Sequence, residues 1–228
     1  MFNLAEVWGL RPDGSNPCRH VPRYREQKRE RYLSQAELRR SGDVLADCER
    51  FGSESSNVVA AFCLLILTGC RLGEIQTLRW DYITPNGMEL PDSKTGARRI
   101  PLPSAARAIL DALPSDPGNP YVIAGKNEGQ HITDLQHRWR HIRDPAGLND
   151  VRIHDLRHTY ASNAVSSGMP IQMVGRLLGH TQLQTTMRYA HLADDPVRKA
   201  AEENAAALSD GLGLGSRARN IPLRVVKG

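Results

Sequence analysis

The chain has 228 residues, 40% of them hydrophobic, and a formal net charge of +5 at pH 7. This composition suits a folded protein with one sizeable core and argues against overall disorder. The longest apolar run, residues 58–67, is about half as long as a membrane span requires, and no signal peptide opens the chain. We therefore expect a cytoplasmic protein without membrane contact and with a modest preference for polyanionic partners.

Cysteine usage and charge distribution add two bounds. The four cysteines form no CxxC pair, so we expect reduced, structural thiols at Cys18, Cys48, Cys63 and Cys70. Basic residues concentrate in residues 19–40 and in the tail beyond residue 210. Either basic run alone is as consistent with a solvated surface as with a nucleic-acid contact.

The first predicted elements are helices. Residues 1–10 have the pattern of the last turns of a helix, which the sequence RPDGSNP then breaks. Ser34 and Glu37 form a capping box, which predicts a helix over residues 34–52. Residues 56–68 are apolar on most sides, which predicts a helix buried in a larger helical core.

Arg71 is predicted to lie at the start of the next helix, because Gly69 ends the buried one just before it. Glu74 shares a face with Arg71 by helical spacing and can orient its guanidinium group. An ordinary surface ion pair is an equally good interpretation of this spacing.

A short β-rich region follows these helices. Between residues 82 and 102 the turn sequences TPNG and SKTG separate short strands such as RRIPL, which predicts a three-stranded antiparallel sheet. Lys94 lies in or beside the second turn. Helical patterns then return over residues 105–113, 134–142, 155–167, 171–178, 183–191 and 196–208. The predicted fold class is therefore mainly α with one small sheet (α+β).

Six reactive side chains stand in distinctive sequence phrases. The phrases are TGCRLGEIQTLRW around Arg71, DSKTGARRIPL around Lys94, IHDLRHTYAS around His154 and Arg157, and LLGHTQLQTTMRYAH around His180 and Tyr189. Each phrase is weak alone. In this order and with apolar framing, they resemble the tyrosine recombinases of the phage integrase family over residues 32–191. The resemblance implies the catalytic-domain fold of that family.

The resemblance also implies a role for each residue in cleavage of a DNA phosphodiester. Arg71 and Arg157 would clamp the non-bridging oxygens, because guanidinium groups match the geometry of phosphate. Tyr189 would attack the phosphorus and leave a 3′-phosphotyrosine, so that rejoining needs neither ATP nor metal. The other implied roles are proton acceptor for His154, hydrogen-bond donor to phosphate for His180 and general acid for Lys94. No cofactor and no metal ion are implied.

Each of these residues also has a purely structural interpretation. One arginine can serve a structural ion pair, since Asp155 lies close to Arg157 in the sequence. Both histidines can cap helix ends, and an exposed hairpin lysine or a core tyrosine needs no further role. Only the full set of matching phrases favours the functional interpretation for each of them.

The family pattern predicts three segments. Residues 1–31 are expected to be the remnant of an N-terminal DNA-binding domain with a basic linker, although a short helix packed on the catalytic domain is an alternative. Residues 32–195 are expected to be the catalytic domain, and residues 196–228 a C-terminal helix with a flexible tail. That helix is expected to dock on a neighbouring subunit or, with equal weight, to pack in cis.

The function implied by the resemblance is that of a site-specific recombinase, an integrase that cuts and rejoins double-stranded DNA for integration or excision of a mobile element. It would assemble as a tetramer on DNA. A topoisomerase would share the same chemistry, and a catalytically silent DNA-binding regulator is the alternative from another class. A metal-dependent phosphodiesterase is a third alternative, but His137 and His141 lack the glutamate of a zinc hydrolase motif.

Overall fold

The computed structural model describes residues 1–22, 24, 30–91, 96–115 and 117–211. Lys94, most of the second turn of the predicted sheet, part of the expected basic linker and the expected flexible tail lie outside the described residues. The chain divides into two compact units, Met1–Glu30 and Arg31–Gly228.

The first unit contains the short helix α1, Phe2–Val7, which has no buried residue. The loop after it returns to the helix at Asn16, whose backbone N–H donates to Glu6 Oε1 at 2.6 Å. The helical turns predicted for residues 1–10 are therefore present but shorter than the apolar pattern.

The second unit is mainly helical, as predicted. Its described helices are α2, Gln35–Phe51; α3, Ser56–Thr68; α4, Leu72–Gln76; α5, Ser104–Ala112; α6, Leu135–Arg143; α7, Ile153–Ser166; α8, Ile171–Leu178; and α9, Asp194–Gly211. No helix among the described residues is long and apolar enough to cross a membrane.

The ends of α2 are set by the residues that the sequence indicated. Ser34 Oγ accepts from the Glu37 backbone N–H, and the Glu37 carboxylate accepts from the Ser34 N–H. Gly52, at φ +66°, ends the helix. The guanidinium of Arg31 bonds Glu37 at 2.7 Å and lowers the pKa of that carboxyl to about 2. These local bonds explain why this helix could be predicted closely.

The three strands form one antiparallel sheet in the order β1-β2-β3. Their bounds are Ile83–Thr84, Gly87–Leu90 and Arg98–Ile100. Met88 pairs with Ile100 in the register of β2 and β3. Gly87 is required at its position, because its φ is +142° and a Cβ there would lie 2.3 Å from the Ile100 carbonyl oxygen.

The core is built around α3, which packs against α2, α4, α5 and α7. Phe62 of α3 lies with its ring centroid 5.2 Å from that of Trp139 on α6, and both are fully buried. The Trp139 indole N–H donates to the Val151 carbonyl at 2.9 Å, so burial leaves its donor satisfied. A smaller cluster of buried side chains between α7 and α8 includes Val174, Leu178 and Tyr189.

The segment predicted as one helix over residues 183–191 is instead two 3₁₀ segments, Leu183–Thr185 and Met187–Ala193. Thr186, between them, is completely buried, and its Oγ1 lies 2.8 Å from His180 Nδ1. The tighter i→i+3 bonds continue at Tyr189, whose N–H donates to the Thr186 carbonyl. Tertiary packing of a β-branched residue has therefore overridden a helical pattern.

Candidate active site

Arg71 is held at the N-terminus of α4 by Glu74. The Glu74 carboxylate accepts from both the Arg71 backbone N–H and Nη1, each at 2.8 Å. The Glu74 side chain is 6% exposed and that of Arg71 is 22% exposed, so the carboxylate end of this ion pair is buried while the arginine stays partly accessible. The remaining donor Nη2 reaches the Gly179 carbonyl at 3.2 Å. The first arginine is thus oriented across the end of α8.

Arg157 reaches the same place from α7. It is almost fully buried, and it donates to the Gly69 carbonyl at 2.6 Å and to the Leu178 carbonyl at 2.5 Å. Burial, with the nearby charges of Arg71 and Arg98, lowers the pKa of Arg157 to about 10. The group stays cationic at neutral pH, but in a place where cations repel each other.

A third arginine, Arg98 of β3, joins the pair and was missed by the sequence reasoning. Its Nη1 donates to the Leu178 carbonyl, and its Nη2 lies 3.5 Å from Glu74 Oε2. The side chain is 10% exposed, and its Nε and Nη2 are buried without a hydrogen-bond partner among the described residues. The sequence held one signal. Arg98 lies two residues before the buried Ile100 in a predicted strand, so the two side chains are on the same face of the sheet.

The arginine cluster, formed by Arg71, Arg98 and Arg157, carries more positive charge than Glu74 neutralises. The carbonyls of Leu178 and Gly179 offset part of it, because they lie at the C-terminal, negative end of the α8 dipole. Backbone carbonyls are weaker partners for guanidinium groups than a phosphate, which accepts paired, charge-assisted bonds. The arginine cluster is therefore suited to receive an anion.

Tyr189 contacts a histidine that the sequence reasoning did not single out. Its hydroxyl is hydrogen-bonded to His158 Nδ1, and the tyrosine is 5% exposed. His158 lies one helical turn after His154 on α7, and their ring centroids are 4.7 Å apart in an edge-on arrangement. The i, i+4 spacing within HDLRH could have indicated this second histidine.

The histidines of the site are held neutral. Burial lowers the pKa of His158 to about 4, helped by His154 and Arg188. Burial also lowers the pKa of His180 to about 4, helped by Arg157 and Arg71, and lowers that of His154. At neutral pH each ring can therefore accept one hydrogen bond and donate another.

Five of the six residues singled out from the sequence thus lie in one region of the fold, and Lys94 lies outside the described residues. The charges of Arg71 and Arg157 act on both His154 and His180, and His158 links this group to Tyr189. Within the described part of the chain, no group of three or more His, Cys, Asp or Glu side chains is arranged to hold a metal ion.

A protein-family model matches most of the chain. Residues 32–195 match the model of the phage integrase family. The chain belongs to the phage integrase family. The integrase of Escherichia phage 186 is 26% identical over 196 residues, covering 84% of this chain and 53% of that relative. As a member of the phage integrase family, the chain spans about half the length of the curated relatives that it matches.

Two solved structures of recombinases share the fold of this family member. XerA recombinase superposes with a TM-score of 0.63 at 22% identity, over 78% of this chain and 66% of that chain. A lambda integrase tetramer bound to a Holliday junction gives a TM-score of 0.60 at 20% identity, over 79% and 55% of the respective chains. The predicted family and fold class are thereby confirmed.

Proposed function

We propose that this chain is a tyrosine-type site-specific recombinase that cuts and rejoins double-stranded DNA through a 3′-phosphotyrosine, without metal or ATP. The observation that carries the proposal is the hydrogen bond of a buried tyrosine hydroxyl to a histidine on α7, the helix that also supplies Arg157 to the arginine cluster. Attack on a phosphodiester requires a nucleophile, a proton acceptor and preorganised cations.

The arginine cluster would bind the scissile phosphate. Arg71 and Arg157 would exchange their bonds to backbone carbonyls for bonds to the non-bridging oxygens, on which charge develops in the pentacoordinate transition state. Glu74 would keep the Arg71 fork in place, since it holds both the backbone and the side chain of that residue. Loss of one such donor typically costs about 10²- to 10³-fold in rate.

Strand cleavage would then be a transfer of the phosphoryl group to Tyr189. The bond from the phenolic oxygen to phosphorus forms while the bond to the 5′ oxygen breaks, and that oxygen needs a proton. Lys94 is proposed as the acid on the strength of its sequence phrase. We assign the Nδ1 of His180 as acceptor from Thr186, which leaves Nε2–H to donate to a phosphate oxygen.

The proposed biological role is integration or excision of a mobile element by an assembly of subunits on DNA. Its support is the family match and the similarity to an integrase solved as a tetramer on a Holliday junction. We further propose that residues 32–195 act as the catalytic domain and that residues 1–31 belong to a DNA-contacting region. Helix α9 is proposed to contact a neighbouring subunit, since residues 198–207 are exposed along its length.

Covalent trapping tests this function. The chain is incubated in EDTA with nicked duplexes tiled across the DNA that flanks its gene, and the products are separated on a denaturing gel. A nick lets the short cleaved strand diffuse away, so that the phosphotyrosine accumulates. We expect a covalent protein–DNA adduct with the parent and none with Tyr189→Phe. Tyr121→Phe is the matched control, because it removes a hydroxyl from a tyrosine outside this site.

Other outcomes would point to other functions. DNA binding without an adduct in any variant would indicate a catalytically silent DNA-binding protein. Cleavage that EDTA abolishes would indicate a metal-dependent phosphodiesterase. Relaxed circles without recombined junctions would indicate a topoisomerase.

A further inference from the structure

We propose that His158 is the group that takes the proton of Tyr189 during strand cleavage and returns it during rejoining. This inference rests on the proposed recombinase function and names a catalytic residue for it. It starts from the hydrogen bond between the Tyr189 hydroxyl and His158 Nδ1, which places a proton acceptor directly on the reacting atom. A general base must first lie within hydrogen-bonding distance of the group whose proton it takes.

The surrounding structure fixes both partners. Tyr189 packs in the buried cluster between α7 and α8, and its backbone N–H donates to the Thr186 carbonyl. His158 is on α7, which packs against both α8 and the 3₁₀ segment that carries the tyrosine. Because the phenol is already held in place, it loses little conformational entropy on reaching the transition state, and this lowers the activation barrier.

The protonation state of His158 suits the role. The ring faces His154 and Arg157 from its own helix, His180 from the end of α8, and Arg188 from the tyrosine segment. Burial first, and then these groups, hold its pKa at about 4, so the ring is neutral at neutral pH. We assign Nδ1 as the acceptor from the Tyr189 hydroxyl, which leaves it able to take the proton. A phosphate bound at the arginine cluster would offset the cationic repulsion and make His158 a stronger base when DNA is present.

The proton balance closes within the site. As the Tyr189 oxygen bonds phosphorus, its O–H bond breaks, the proton moves to His158 Nδ1, and the departing 5′ oxygen takes a proton from the acid. In rejoining, a DNA hydroxyl returns its proton to the conjugate base left by the acid and attacks phosphorus. The phenolate is displaced and recovers its proton from the His158 imidazolium. His154 contacts the ring of His158 edge-on, so it would act on the tyrosine through His158.

The test is His158→Asn in the trapping assay with nicked duplexes. The asparagine amide can accept a hydrogen bond near the position of Nδ1 but cannot take a proton. We expect the single-turnover rate of adduct formation to fall by about 10²- to 10⁴-fold, the usual worth of general base catalysis, while DNA binding persists. The matched control is His137→Asn, the same exchange at an exposed histidine of α6, which should keep the parent rate.

Chemical rescue separates proton transfer from positioning and from misfolding. A fluorinated tyrosine incorporated at position 189 ionises more readily than tyrosine, so it should restore adduct formation in His158→Asn above the pKa of the analogue. His158→Asn that cleaves at the parent rate, or a slow variant that the analogue does not rescue, overturns the inference. A parent chain that gives no Tyr189-dependent adduct overturns the proposed function itself, which is a different result.

Discussion

The arginine cluster gathers three guanidinium groups from three different elements. Arg71 comes from the start of α4, Arg98 from β3 and Arg157 from α7, and Glu74 pairs with the first two of them. Placing like charges together below the surface costs stability, which is typical of a site prepared for a ligand of opposite charge. The residues that make the site useful are therefore expected to be poor contributors to folding.

Arg98→Met tests whether a residue of the arginine cluster contributes little to folding stability. Methionine keeps much of the packing and removes the charge, so we expect an unchanged or higher melting temperature and a rate of adduct formation lowered by about 10- to 100-fold. This estimate corresponds to the loss of one charged hydrogen bond of roughly 1.5–3 kcal/mol. Arg99→Met is the control. Arg99 follows Arg98 directly in the chain, but its side chain is 54% exposed and pairs with Glu89. Equal effects of the two changes would contradict the assignment.

The neutral histidines predict acid sensitivity. An unfolded histidine titrates near 6.5, whereas the native pKa of both His158 and His180 is about 4. Between these values the unfolded state binds more protons, so stability is lost as the pH falls from about 6.5 towards 4. Glu37, with a native pKa of about 2, adds its own loss only below the pKa of an unfolded glutamate, near 4.5.

Calorimetric melts at about pH 7 and about pH 5 measure this sensitivity. We expect a lower melting temperature at the acidic pH for the parent chain. The difference should shrink in His158→Asn and shrink further when His180→Asn is added. An undiminished pH difference in the double variant would show that other groups cause it.

At the scale of elements, the C-terminal end of α8 combines a helix-ending glycine with a contact to the arginine cluster. Gly179 has φ +65°, and a Cβ there would lie 2.0 Å from Arg98 Nη1. The glycine therefore serves both the left-handed helix end and the approach of an arginine. At the end of α2, by contrast, Gly52 needs only the first property.

Gly179→Ala and Gly52→Ala separate the two requirements. Gly52 has nearly the same φ, +66°, with open space around a built Cβ. We expect each change to lower the free energy of unfolding by about 1–2 kcal/mol, the usual cost of a left-handed non-glycine residue. Gly179→Ala alone should also slow adduct formation, because it displaces Arg98. Parent activity in Gly179→Ala would argue against a role for this approach.

The elements themselves were predictable to different degrees, for physical reasons. Local chemistry sets the capping box of α2 and the glycine end of α3, so sequence alone located both closely. The 3₁₀ geometry around Tyr189 depends on the burial of Thr186, a tertiary effect that periodicity does not contain. Arg98 and His158 were missed for a similar reason, since their partners lie 80 and 31 residues away in the chain.

For the whole molecule, α9 offers the clearest test of assembly. Its described side chains include Val197 and Leu208, which are 65% and 59% exposed. We expect removal of the chain after residue 195 to abolish multi-subunit complexes on DNA in native gels, because the exposed apolar residues would lose their neighbouring subunit. Melting of the shortened chain controls for damage to the adjacent Met187–Ala193 segment. Unchanged complexes would mean that α9 packs in cis.

The bond between Tyr189 and His158 has a consequence for mixed assemblies. The proposed nucleophile, its proposed proton acceptor and the arginine cluster all lie within a single compact unit of one chain. Subunits carrying different lesions, such as Tyr189→Phe in one and Arg157→Met in another, would then be unable to complement each other. Each subunit would cleave DNA with its own residues, and the number of intact subunits in a complex would set the number of strands that the complex can cleave.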